Sequence, residues 1–155
     1  VPPLVRRLVG RPDVPDPASN YAKLCLPFVA GVFLAHGTPD VPHFRGEALR
    51  DPRVHGFAAR VRIEPDGNTD ENALDPQHIA VALRDGTRHD IHLPHAYGHP
   101  AVPLTAAENE EKFFRCCRHA VPPVPDARAT RIRDLVNGLD ALQDVAALAR
   151  AVARD

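Results

Sequence analysis

Four histidines fall within eleven residues, His89, His92, His95 and His99, with Asp90 among them. Imidazoles and a carboxylate are suitable ligands for zinc or iron, so a metal centre is the sharpest chemistry these residues could support. Their placement speaks against it. His89 and His92 belong on opposite faces of a strand, and His95 and His99 sit in a Pro/Gly loop without helical spacing. Solvated or hydrogen-bonded histidines are the expectation, with no metal and no cofactor. The acids of Asp66-Gly-Asn-Thr-Asp-Glu-Asn72 resemble a calcium loop only superficially, since the ligand spacing and the closing glutamate of an EF-hand are absent. Cys25 and Cys116 would be nucleophiles only beside a base. No Gly-rich phosphate loop, nucleophile elbow or Cys-x-x-Cys pair is present.

The elements that must position these groups centre on Asn20 to Gly37. From Leu24 to Ala35 this stretch carries no charge and is apolar on every side, which predicts a helix over about 24–36 buried among other elements. It is too short to cross a bilayer, which takes roughly 20 apolar residues. Pro27 suits the first turn, and Gly37 can close the helix in the left-handed conformation. Ala30, Gly31 and Ala35 leave room for a neighbouring backbone. Cys25 and Phe28, at the helix entrance, are candidates for lining a substrate pocket, although their residue types favour ordinary core.

Asp51-Pro52 predicts a helix start followed by a buried face of Val54, Phe57, Ala58 and Val61. Arg60 to Glu64 alternates charged and apolar residues as a half-buried strand would, and Asp66 to Pro76 reads as polar turn. His78 to Leu93 reads as a hairpin. A two-residue turn at Asp85-Gly86 would set Val81 against Asp90. A three-residue loop, Arg84-Asp85-Gly86, pairs Ile79 with Ile91 and Val81 with His89 instead. Ile79, Val81, Leu83, Ile91 and Leu93 then share one face, expected to be buried. Thr105 with Glu108 forms a capping box for a helix to about His119 that buries Phe113, Phe114 and one of the paired cysteines. Asp126 is expected to cap a helix closed at Gly138, and Asp140 with Gln143 a last one bearing Leu142, Val145, Leu148, Ala149 and Val152.

Composition bounds the rest. At 155 residues the chain is expected to form a single α+β domain, with a small antiparallel sheet packed with helices around the central helix. Net charge is −1 and no basic stripe is present, so nothing points to nucleic acid or an anionic membrane. Three cysteines, two of them adjacent, fit reduced thiols in the cytoplasm better than a disulfide framework. There is no methionine even at position 1, and the opening Val1-Pro2-Pro3 carries no start signal, so the chain reads as a C-terminal portion of something larger.

Two motifs carry a family resemblance. Leu24-Cys25-Leu26-Pro27-Phe28-Val29-Ala30 followed by Gly37 resembles the S-x-P-Y-x-x-A…G helix of the MmgE/PrpD family, the 2-methylcitrate dehydratase group. Gly98-His99-Pro100-Ala101-Val102-Pro103-Leu104-Thr105 with Lys112-Phe113 is similar to that family's G-x-P-x-x-P-L-(S/T)…K-F signature. Asp51-Pro52-Arg53-Val54 and the Arg84-Asp85-Gly86 turn fall between them in the family's order. The resemblance implies the C-terminal α+β domain of a two-domain, metal-independent lyase or isomerase. Such enzymes abstract a proton next to a carboxylate of acids such as 2-methylcitrate, cis-aconitate and iminodisuccinate. It also implies that the aspartate, histidine and lysine of the active site come from an N-terminal helical domain and a segment before Val1. No catalytic residue is then expected in this chain, which alone should be inactive. The implied partners are that helical domain, a small carboxylic acid and a second subunit in a homodimer. Phe28 stands where the family has tyrosine, and Cys25 where it has serine. The competing class is a non-catalytic α+β binding or assembly module.

Overall fold

The computed structural model describes residues 1–153. They fall into two compact units, Val1–Pro103 and the residues from Leu104 onward. The class is α+β, with helices predominating and one antiparallel hairpin.

In the first unit, helices α1 (Pro3–Val9) and α2 (Ser19–Lys23) lead into α3 (Leu26–His36). Pro27 lies in the first turn of α3, and Gly37, at φ 82°, donates its N–H to the Phe33 carbonyl at 2.7 Å to end it. Short 3₁₀ turns at Val41–Phe44 and Gly46–Arg50 precede α4 (Pro52–Ala58), where the Asp51 carboxylate accepts from the Arg53 N–H at 2.8 Å. Helices α3 and α4 pack closely because Gly31 has no side chain. A Cβ there would stand 2.4 Å from the Val54 carbonyl oxygen. Ala22, Cys25, Phe28, Val32, Phe44, Leu49 and Val54 form the core cluster around this contact.

Strands β1 (Gln77–Ala82) and β2 (Arg88–Leu93) pair in the register the loop dictates, Ile79 opposite Ile91 and Val81 opposite His89. Gly86 takes φ 88°, and the Leu83 N–H donates to the Thr87 carbonyl at 2.8 Å to close the three-residue loop.

Several expectations are corrected. The central helix is not buried on all sides, since Phe33 is 56% and Leu34 50% exposed. The α4 contact covers one face of α3 and leaves Phe33 and Leu34 exposed, with Leu26 and Ala30 half-buried beside them. The hairpin's apolar face is likewise open, with Ile79, Leu83, Ile91 and Leu93 exposed and Val81 only half-buried. Register sorts side chains onto faces, but burial requires another element to lie on the face. Arg60 to Glu64 forms no strand, because it has no ladder partner among the described residues. Its end is instead fixed by Val1, whose backbone nitrogen donates to the Glu64 carbonyl and whose carbonyl accepts from the Asp66 N–H.

In the second unit, α5 (Ala106–Arg118) opens with the expected capping box. The Thr105 hydroxyl accepts from the Glu108 N–H at 3.2 Å, and the Glu108 carboxylate accepts from the Thr105 N–H at 2.9 Å. Cys117 is buried and Cys116 exposed. Helix α6 (Asp126–Asn137) begins at Asp126 itself, which makes no cap bond; the flanking residue is Pro125. The last helix, α7 (Ala146–Val152), starts six residues beyond Asp140, and its first turn is held by the Asp144 carboxylate, which accepts from the Ala146 N–H at 2.9 Å. Val145 and Val152 are exposed and Ala151 is the buried residue, so the apolar face is rotated from the one expected. No helix among the described residues is long and apolar enough to cross a membrane.

Candidate functional site

Cys25 and Phe28 both sit in the core of the first unit. Cys25 precedes α3 and forms an isolated bridge with Gly10. Its thiol lies 3.4 Å from the Arg11 carbonyl and 3.6 Å from that of Pro12. Burial, with a lesser push from the Asp13 charge, outweighs the Phe28 N–H and Arg11 and raises the Cys25 pKa, which keeps it a thiol instead of a nucleophilic thiolate. The Phe28 ring is fully buried, 6.0 Å from the ring of Phe44 and 5.5 Å, edge-on, from that of His55. Neither residue borders the groove of about 490 Å³ that Val1, Arg6, Arg7 and the Pro65–Asn68 turn line.

A carboxylate–imidazole pair with no local motif to mark it adjoins Phe28. His55, on α4, presents Nδ1 to Asp13 Oδ2 at 2.7 Å and Nε2 to the Leu49 carbonyl at 2.9 Å. Both partners are acceptors, so only the imidazolium donates to both. Burial opposes that charge, but the Asp13 carboxylate, the Leu49 carbonyl and the Asp51 charge outweigh it and raise the His55 pKa. Asp13 Oδ1 is buried and has no hydrogen-bond partner. With both ring nitrogens occupied, His55 is a cross-link tying the Pro-rich approach to α4. The two residues are 42 apart, and nothing local to Asp13 marks it.

The histidines near the hairpin divide as strand geometry requires. His89 and His92 lie on opposite faces, and Asp90 is taken by Arg88 at 2.7 Å and by His78 at 3.3 Å. Arg88 and then His78 hold the Asp90 pKa below its ordinary value. His95 and His99, by contrast, stack face to face, with centroids 4.3 Å apart and planes within 6°. Asp75, in the polar turn before β1, reaches this stack. Its Oδ1 accepts from the Ala96 N–H at 2.9 Å, and its Oδ2 lies 3.3 Å from His95 Nδ1.

These contacts fold the signature loop over residues 94–103. Gly98 adopts φ 95°, the His99 N–H donates to the Ala96 carbonyl and the Ala101 N–H donates to His99 Nδ1 at 3.1 Å. Gly98 and His99 form the turn, and Val102 closes it through two backbone hydrogen bonds, to Gly98 at 2.9 Å and to His99 at 2.7 Å. The glycine of the motif is therefore a steric requirement of the loop.

Comparison with known proteins agrees with the two motifs. The sequence pattern of the MmgE/PrpD C-terminal domain matches residues 1–138. Human cis-aconitate decarboxylase is 32% identical over 118 residues, covering 70% of this chain and 24% of the relative. The mouse enzyme is 30% identical over the same length and the same shares. The chain thus spans about a quarter of the length of these relatives. With the α3 and loop motifs in the family's order and the match running through nearly the whole chain, this protein belongs to the MmgE/PrpD family, as its C-terminal domain.

Proposed function

We propose that this chain is the C-terminal domain of a two-domain enzyme that removes a proton next to a carboxylate of a di- or tricarboxylic acid, without a metal, as the first step of a dehydration, decarboxylation or epimerisation. The observation that carries this reading is the family match over residues 1–138, with cis-aconitate decarboxylase among the relatives. Proton abstraction needs a base within hydrogen-bond reach of the C–H and fixed cations for the carboxylates and the developing enolate. Several groups of the right type in the first unit are already engaged: His55 with Asp13, His36 with Asp51 at 3.1 Å, and Arg88 with Asp90. On this reading the base and the cations come from a helical domain and its segment before Val1, and the enzyme works in the cytoplasm as a homodimer. The open stripe of α3 supports a covering neighbour, because an all-apolar helix is ordinarily enclosed.

The test is turnover of cis-aconitate, 2-methylcitrate and related acids by the two-domain protein and by the 155-residue chain. The two-domain protein should act on one of these acids, and the chain alone on none. Turnover by the isolated chain, lost on replacing one of its own histidines, would contradict the reading. A non-catalytic binding module is the second reading, favoured by Phe28, which offers no hydroxyl at the family's tyrosine position. Binding of these acids by the two-domain protein without turnover would select it.

A further inference from the structure

Asp75, His95 and His99 each place a ligand atom within 4.8 Å of the others, the one such group of three or more His, Cys, Asp or Glu side chains among the described residues. The ligands come from two segments, the turn before β1 and the signature loop, so an ion there would join parts of the chain 20 residues apart. We propose that Asp75, His95 and His99 bind a divalent ion of the zinc class that fastens loop 94–103 to the turn before β1.

Two His–carboxylate contacts in the same unit differ in a telling way. His55 and Asp13 are 2.7 Å apart, the length of a charge-assisted hydrogen bond. His95 Nδ1 and Asp75 Oδ2 are 3.3 Å apart, at the long limit for N–H···O. That spacing matches the separation of about 3.3 Å between neighbouring ligands on a tetrahedral ion with bonds of about 2.0–2.1 Å. Asp75 is oriented for this, because its other oxygen is anchored by the Ala96 N–H. Two imidazoles and one carboxylate select zinc, cobalt or nickel over calcium and magnesium, which prefer oxygen, and leave a fourth position for water.

The stack defines what ion binding must change. Parallel rings aim their in-plane lone pairs along parallel planes, so a single ion cannot lie in both. His99, the exposed member, must turn out of the stack, and in doing so it releases the Ala101 N–H from Nδ1. Binding therefore carries a local signature at Ala101, distinct from ions collected by exposed side chains. The site is independent of the proton-abstraction chemistry proposed above.

The experiment is titration of the 155-residue chain with Co²⁺, followed by visible absorbance, with Zn²⁺ as competitor and the Ala101 amide followed by NMR. One ion per chain should bind, Zn²⁺ should displace Co²⁺, and the Ala101 resonance should shift. Asp75→Asn and His99→Ala should each weaken binding by about tenfold or more, as should His99→Gln, which retains an acceptor for the Ala101 N–H. His92→Ala, on β2 and outside the cluster, should leave affinity unchanged. Circular dichroism of each variant reports that it is folded. No uptake by the folded wild-type chain, or uptake unchanged in Asp75→Asn and in both His99 variants, would overturn the proposal.

Discussion

The first unit presents two apolar surfaces of similar composition and opposite fate. On α3, Phe28 and Val32 are sealed against α4 and the 3₁₀ turns, with no exposed area. On the hairpin, Ile79 and Ile91 face each other in the intended register, yet Ile91 remains 49% exposed. The difference is not hydrophobicity. Gly31 lets the α4 backbone close over α3, whereas among the described residues β1 and β2 pair only with each other, and a two-stranded ribbon by itself has no second layer. Apolar patterning thus states which residues can be buried, and close backbone approach decides which are.

The largest effect should come from the sealed side. Phe28→Ala removes a ring wedged between Phe44 and His55, and should cost about 3–5 kcal/mol in denaturant unfolding. A loss typical of a surface site would show that the core is not organised around this ring.

Beside it, the His55–Asp13 link makes the stability of the same region depend on pH. Because the folded state raises the His55 pKa, this stabilisation is complete below the ordinary imidazole value of about 6.5 and fades as pH rises through the higher folded-state value. Asp13→Asn should cost about 1.5–3 kcal/mol in mildly acid solution and much less in alkaline solution. Equal destabilisation across that range, measured by unfolding as a function of pH, would remove the imidazolium from the account.

Smaller effects belong to exposed positions. Thr105→Ala deletes the cap of α5 and should cost about 1 kcal/mol, read in the thermal unfolding of the second unit. On the hairpin, Ile91→Ser should change the stability of the chain by less than about 0.5 kcal/mol. A loss comparable to that of Phe28→Ala would mean that the face is covered after all.

Legibility in the sequence follows the range of the interactions. Gly37, Gly86, the Asp51 cap and the Thr105–Glu108 box were readable because each is local, satisfied by atoms within a few residues. The hairpin register was readable too, since loop length and face sorting have one common solution. Asp13–His55 and Asp75–His95 span 42 and 20 residues and left no periodic trace. Asp126 failed as a cap for a different reason. Several residues near a helix start compete for the flanking position, and there Pro125 holds it. Arg60 to Glu64 has strand alternation without a ladder partner, which no local pattern can reveal. Cys25 and Phe28 were located correctly at the start of α3, but whether such residues line a pocket or fill a core depends on what folds over them.

Residue-resolved amide hydrogen exchange on the 155-residue chain tests the contrast between the two surfaces most directly. Opening free energies range from near zero in weakly packed elements to the global value in the core. The amides of Gly31 and Val32, inside α3, should exchange at least about a hundredfold more slowly than the ladder-bonded amides of β1 and β2. Equal protection of the hairpin and α3 would contradict the account, because it would make the ribbon's open apolar face as well packed as the core.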